Sequence, residues 1–214
     1  MGSYYPAFLN LTGRRCVVIG AGEVAERKVA TLLQAGALVT VVSPDGTAEI
    51  AHRAQVGEVT WRRRPYQAGD LRDAWLAIAA TDDASVNQAI AREAEERHVL
   101  LNVIDVPSLC GFIAPSIVQR GDLTIAISTA GKSPAMARRV RREVERLFPP
   151  EYGELLDIVA EIREALFTEG CRPPADRWQD AISDEVLAMV RAGERDQAKA
   201  RLLETLRHRS PVAQ

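Results

Sequence analysis

The sequence predicts an α/β protein: an N-terminal Rossmann-type parallel sheet, then a β-hairpin with a helix, then a small all-helical region. Three observations carry this. Short β-branched apolar runs alternate with helix-period segments as far as Asp105. Two strand-like runs then flank Gln119-Arg120-Gly121-Asp122. From Glu151 onward only helical periodicity remains.

The elements follow in order. Residues 16–19, Cys-Val-Val-Ile, suit a buried parallel strand. Residues 22–33 carry helical spacing, with Val24, Val29, Leu32 and Leu33 on one side and Gly36 placed as a C-cap. Residues 38–42 form a second strand stopped by Pro44, and 45–54 a short helix. A third strand starts at Val59-Thr60-Trp61 and turns polar at Arg62-Arg63-Arg64. Residues 76–80 are a fourth strand and 99–103 a fifth; between them 83–97 is a helix with Val86, Ile90 and Ala94 in phase. Runs 111–118 and 123–128 pair as a hairpin. Ser133 as N-cap and Pro134 as first residue open a helix to Phe148, ended by Pro149-Pro150. Helices at 151–168, 176–182, 184–192 and 195–207 complete the chain, and 210–214 reads as a frayed tail.

Composition narrows the function classes. The 214 residues are 47% hydrophobic and 26% charged, ordinary for a globular protein. A net charge of −2 gives no global basic field for nucleic acid. No apolar run approaches the roughly 18 residues of a membrane span. Residues 1–6 lack the charged and apolar regions of a signal peptide, and Pro6 spoils a myristoylation match at Gly2, so neither is expected. Cys16, Cys110 and Cys171 are widely spaced, which favours a reducing, cytoplasmic setting over disulfides or zinc. His52, His98 and His208 are scattered, and no metal site is expected.

Gly20-Ala21-Gly22-Glu23-Val24-Ala25 follows the first strand and opens the first helix. This GxGxxA is a variant of the dinucleotide fingerprint: Gly20 for the tight turn, Gly22 for backbone approach to a pyrophosphate, and Ala25 for close helix–strand packing. The bland alternative is a tight turn that binds nothing. The acidic residue expected at the end of the second strand is absent: Ser43 stands there, then Pro44, and the nearest carboxylate is Asp45. No arginine adjoins Ser43 in the chain, which favours NAD over NADP. Gly131-Lys132-Ser133 resembles the end of a P-loop, but Ala126 replaces the required glycine and Pro134 removes an N–H. Asp105 lies just past the fifth strand, either as a loop cap or as a carboxylate facing the ligand crevice. Arg138, Arg139, Arg141, Arg142 and Arg146 crowd one helix, either as a solvated face or as a wall for an anionic ligand.

Taken together, 5–9 (Tyr-Pro-Ala-Phe-Leu), 20–28 (Gly-Ala-Gly-Glu-Val-Ala-Glu-Arg-Lys), 79–83 (Ala-Ala-Thr-Asp-Asp), 102–107 (Asn-Val-Ile-Asp-Val-Pro) and 128–134 (Ser-Thr-Ala-Gly-Lys-Ser-Pro) resemble the precorrin-2 dehydrogenases of siroheme biosynthesis. The resemblance implies a Rossmann domain at 1–113 with NAD as cofactor, a dimerisation region at 114–149 that interlocks two chains, and a helical domain at 150–214 covering the tetrapyrrole. It implies a homodimer, with neither nucleic acid nor membrane as partner. Glu23, Val24, Pro44 and Asp45 match residues that touch NAD, and Asp105 matches the essential aspartate. The cofactor set is then Gly20, Gly22, Glu23, Val24, Ala25, Ser43, Pro44, Asp45 and Thr81. The set for precorrin-2 or sirohydrochlorin carboxylates is Ser128, Lys132, Ser133, Arg138, Arg139, Arg141 and Arg142. Thr129 stands where bacterial siroheme synthase has a phosphorylatable serine. Some members also insert Fe2+ into sirohydrochlorin. Two other readings stay open: an NAD(H)-responsive regulator whose Arg-rich helix meets DNA, though without a preceding helix-turn-helix, and an NAD-dependent dehydrogenase of another small molecule.

Overall fold

The computed structural model describes residues 4–207. The chain divides into two compact units, one ending at Ala114 and the other starting at Pro115. The expectations for Met1–Ser3, His208 and the 210–214 tail lie outside the described residues.

The first unit runs β1 (Arg15–Ile19), α1 (Glu23–Gln34), β2 (Leu38–Val42), α2 (Ala48–Gln55), β3 (Val59–Arg62), β4 (Leu76–Ala79), α3 (Ala84–Glu96) and β5 (Leu100–Val103). The five strands pair in parallel in the order β3-β2-β1-β4-β5. Alternate residues of β1 feed two cores. Cys16 and Val18 pack with Ala25, Val29 and Leu32 of α1 and Ile50 of α2. Val17 and Ile19 pack with Leu71 and with Ile90 and Ala94 of α3. Burial on both faces is why residues 16–19 read as an unbroken apolar run. The chain winds outward from β1 to β3 and returns beside β1 at β4. The crevice for a ligand therefore opens past the carboxyl ends of β1 and β4.

Two boundaries differ from expectation by three residues or more, each for a local reason. The helix expected from residue 45 begins at Ala48, because Thr47 Oγ1 accepts from Ile50 N–H at 3.3 Å and caps it. The strand expected from residue 111 begins at Ser116. Gly111 and Phe112 instead donate their N–H groups to Leu101 C=O, at 2.8 and 3.3 Å, fastening that stretch along β5.

Asp70 is 2% exposed and anchors the loop between β3 and β4. It accepts from Arg62 Nη1 (2.8 Å), from Arg64 through both carboxylate oxygens (2.6 and 2.7 Å) and from Gln67 N–H (2.9 Å). Burial alone would raise its pKa. The hydrogen bonds from Arg64, Gln67 and Arg62 and the Arg64 charge outweigh that and hold it at about 2. A folded-state pKa below the unfolded value stabilises at neutral pH, and the contribution disappears as pH falls from about 4 through about 2. Asp70→Asn is therefore expected to cost about 2 kcal/mol at pH 7. Urea melts at pH 7 and pH 3 should find roughly half of that difference at the lower pH; a pH-independent difference would detach it from Asp70 ionisation.

The second unit begins with the antiparallel hairpin β6 (Ser116–Arg120) and β7 (Leu123–Ile127), followed by α4 (Pro134–Leu147), α5 (Glu151–Thr168), α6 (Ala175–Ala181), α7 (Asp184–Arg191) and α8 (Arg195–Arg207). Ser133 Oγ accepts from Met136 N–H at 3.1 Å, with Pro134 at the first position of α4. Leu155, Ile158, Ile162 and Leu166 of α5 meet Val186 and Val190 of α7 and Leu202 and Leu206 of α8 in a separate core. By contrast α4, although strongly amphipathic, contributes no fully buried residue. Among the described residues no helix is long and apolar enough to cross a membrane, and no group of three or more His, Cys, Asp or Glu side chains is placed to hold a metal.

Candidate dinucleotide site

Gly20 leaves β1 with φ +100°, and a Cβ built on it would lie 2.2 Å from Ala80 O. The turn is thereby pressed against the end of β4. Gly20 N–H donates to Val42 C=O at 2.9 Å and Ala80 N–H to Ile19 C=O at 2.7 Å, locking turn and strands together. Gly22 is different. Its φ is an ordinary −78°, and a Cβ there would meet nothing within 4 Å. Nothing in the protein's own packing excludes a side chain at Gly22. It caps α1 without a side-chain bond, so no capping group claims the first-turn amides, and Glu23 and Val24 occupy that turn. Such a helix N-terminus suits a pyrophosphate. Ala25, 1% exposed, seats α1 on the sheet.

Beside this turn a cleft of about 360 Å³ is lined by Val24, Thr81, Asp82, Asn87, Ile104 and Asp105, among others. Thr81 Oγ1 accepts from Asp83 N–H at 3.3 Å, leaving its own proton free to donate. Asp83 caps α3 through Ser85 and Val86 N–H. Asp105 lies in the turn after β5 with φ +58°, a left-handed conformation uncommon outside glycine, asparagine and aspartate, which the surrounding bonds enforce here. The enforcement is visible. Ile104 N–H donates to Ala79 C=O (2.9 Å) and Val106 N–H to Val103 C=O (3.3 Å). Cys110 Sγ accepts from Val103 N–H (3.2 Å) and lies within donating reach of Val106 C=O (3.4 Å). The exposed Asp105 carboxylate makes no hydrogen bond or ion pair among the described residues. It lines the cleft rather than capping the loop.

At the far end of the crevice, Ser43 Oγ donates to Asp45 C=O at 2.7 Å and Thr47 N–H to Ala21 C=O at 3.0 Å, tying the loop after β2 to the glycine turn. Pro44 and Asp45 are exposed there. Sequence reasoning missed the contribution of β3. Trp61 Nε1 donates to Ser43 C=O (3.0 Å), and Arg63 stacks on the Trp61 ring at 4.1 Å. Arginine is thus near Ser43 in space although absent from its neighbourhood in the chain.

The remaining predicted residues lie in the second unit. Ser128 Oγ accepts from Ala130 N–H at 3.0 Å, Lys132 is exposed, and Ser133 caps α4. Thr129 Oγ1 bonds both backbone groups of Ser133, at 3.1 and 3.2 Å. Arg139 and Arg141 pair with Glu143 and Glu145 one turn on, each at 3.1 Å. Arg138 and Arg142 have no ion pair among the described residues.

A glycine turn at the switch point, a bare helix N-terminus above it and a cleft of mixed apolar and polar lining past β4 and β5 define a Rossmann-type dinucleotide-binding protein. The comparisons agree. Residues 7–116 match the model of the putative NAD(P)-binding family, to which this chain belongs. Residues 120–147 match the model described as sirohaem biosynthesis protein central. The siroheme synthase of Methylobacillus flagellatus is 40% identical over 209 residues, covering 97% of this chain and 45% of that protein. That of Nitrosospira multiformis is 40% identical over 204 residues, covering 92% and 43%. The chain thus spans less than half the length of these curated relatives. The solved structure of SirC, a precorrin-2 dehydrogenase, superposes with a TM-score of 0.77 at 27% identity, covering 92% of this chain and all of that one. NAD is the cofactor that family, turn and cleft together support.

Proposed function

We propose that this chain oxidises precorrin-2 to sirohydrochlorin with NAD+, in the biosynthesis of siroheme or another modified tetrapyrrole. The observation that carries the reading is the match to SirC along that protein's whole length, joined to a dinucleotide cleft with an exposed carboxylate in its wall. The reaction removes a hydride and a proton from the substrate, and bound NAD+ supplies the hydride acceptor. Asp105 is the general base: an Oδ takes the proton, and the left-handed turn that holds this side chain in the cleft wall sets its reach. Gly20, Gly22 and the first turn of α1 (Glu23, Val24, Ala25) hold the pyrophosphate. Ser43, Pro44 and Asp45 face the adenosine ribose, and Thr81 donates to the cofactor's other half.

The second unit supplies substrate and subunit contacts in this reading, as a dimerisation region at 114–149 and a covering domain at 150–214. Arg138 and Arg142, one helical turn apart and without carboxylate partners among the described residues, are the first choice for the substrate's acidic arms, with Arg139, Arg141, Lys132, Ser128 and Ser133 beside them. A second copy of the chain covers α4 and the hairpin. In support, Met136, Leu147 and Ile117 are 53%, 70% and 43% exposed, and α4 has no buried residue of its own. The three thiols are free, which suits a cytoplasmic setting.

Absorbance traces of precorrin-2 and NAD+ with and without protein test the activity. Protein-dependent NADH formation matched by sirohydrochlorin is the expected result, and none above background removes the proposal. The double substitution of Arg138 and Arg142 by alanine is expected to raise the KM for precorrin-2 by about tenfold or more, with the KM for NAD+ unmoved. Unchanged substrate KM would assign the acidic arms elsewhere. Sedimentation should give twice the chain mass; a monomer at all concentrations excludes the interlocked dimer.

A further inference from the structure

Asp70, Glu93 and Asn87 are all buried polar side chains of the first unit, at 2%, 6% and 4% exposure. Both oxygens of Asp70 are met by donors, as described. Glu93 is met by Tyr66 Oη (2.5 Å), Gly69 N–H (2.9 Å) and Arg97 Nε (2.7 Å). Asn87 alone of the three is half met. Its Nδ2 donates to Thr81 C=O at 2.9 Å, while Oδ1 has no partner. Turning the amide over would set Oδ1 against the Thr81 carbonyl, so the Thr81 bond fixes which end is left open. Asn87 also stands in the buried stripe of α3 with Ile90 and Ala94, where an apolar residue would forfeit the Thr81 bond but would carry no unmet acceptor. A buried acceptor kept unmet at such a position calls for an explanation outside the protein's own packing.

Asn87 lines the same cleft as Val24, Thr81 and Asp105, on the side of the switch point away from Ser43–Asp45. We infer that Asn87 is a dinucleotide-binding residue, its Oδ1 accepting a hydrogen bond from a neutral donor on the nicotinamide nucleoside, either a ribose hydroxyl or the carboxamide N–H. This rests on the reading of the cleft as the cofactor site. The adenosine half, at Ser43–Asp45, lies beyond its reach in that arrangement. Nδ2 serves the fold by holding the Thr81 loop; Oδ1 serves the ligand.

Calorimetric titrations of wild type and Asn87→Ala with NAD+, ADP-ribose and ADP test this. The variant is expected to bind NAD+ about tenfold more weakly and ADP within about twofold of wild type. ADP-ribose separates the two donors: a loss parallel to that for NAD+ assigns the ribose hydroxyl, and unchanged affinity assigns the carboxamide. Equal NAD+ affinity in variant and wild type overturns the inference while leaving the cofactor site standing. Equal weakening of NAD+ and ADP also overturns it, because Asn87 would then act only through the Thr81 loop. Should the variant fold poorly, the unaltered protein serves. The Asn87 side-chain NH2 resonances are expected to shift on saturation with NAD+ and not with ADP, and their failure to move with NAD+ overturns the inference. A wild type that binds none of the three ligands overturns the cofactor reading and this one with it.

Discussion

Asp105→Asn is expected to lower NAD+-dependent oxidation of precorrin-2 by about 10²- to 10⁴-fold, the range of a lost general base, and to leave folding and NAD+ affinity intact. The position makes this a clean substitution. Asp105 sits at φ +58°, and asparagine tolerates the left-handed region as well as aspartate does. The two side chains match in size, and the Asp105 carboxylate has no protein partner among the described residues to lose. The backbone bonds of Ile104, Val106 and Cys110 that shape the turn do not involve it. Only the capacity to take a proton disappears. The check pairs turnover at saturating NAD+ with the NAD+ dissociation constant and a thermal melt. A variant that folds, binds NAD+ and keeps more than about a tenth of wild-type turnover would falsify the assignment of the proton to Asp105.

The parts legible in the sequence are those whose physics is local or periodic. Val17-Val18-Ile19 reads as a strand because both its faces are buried, and the two cores on either side of β1 bear that out. The glycine turn was legible from spacing, although the different surroundings of Gly20 and Gly22 emerge only in three dimensions. The illegible parts depend on which strands become neighbours. The order β3-β2-β1-β4-β5 sets Arg62 C=O opposite Ser43 N–H at 3.2 Å, and with it brings Trp61 and Arg63 to the end of β2. No spacing along the chain announces that. The late start of β6 was hidden likewise, since residues 111–115 are as apolar as a strand and only the bonds to Leu101 show where they belong. Asn87 left a faint trace, a polar residue in phase with Ile90 and Ala94, but the sequence does not say whether such a residue is satisfied within the fold, as Glu93 is, or waits for a ligand.

The two glycines of the turn are expected to fail in opposite ways. Gly20→Ala should destabilise the first unit by about 3 kcal/mol or more, because its new Cβ lies 2.2 Å from Ala80 O and 2.8 Å from Ala80 C. Both atoms are backbone at the end of β4, held by the Ala80 N–H bond to Ile19, so relief requires parting β1 from β4. The φ of +100° adds backbone strain of about 1–3 kcal/mol for any residue with a Cβ. Gly22→Ala, by contrast, should melt within a few degrees of wild type, since φ is −78° and the Cβ enters open space. In the proposed cofactor site that open space receives the pyrophosphate at the first turn of α1, so the same methyl is expected to weaken NAD+ binding by about tenfold to a hundredfold. Thermal melts and NAD+ titrations of both variants separate the roles. A destabilised Gly22→Ala would make Gly22 a packing residue, and a stable Gly22→Ala with undiminished NAD+ affinity would remove the phosphate from this turn. A stable Gly20→Ala would mean that the contact between the turn and Ala80 yields at little cost, leaving Gly20 without the role that its conformation assigns.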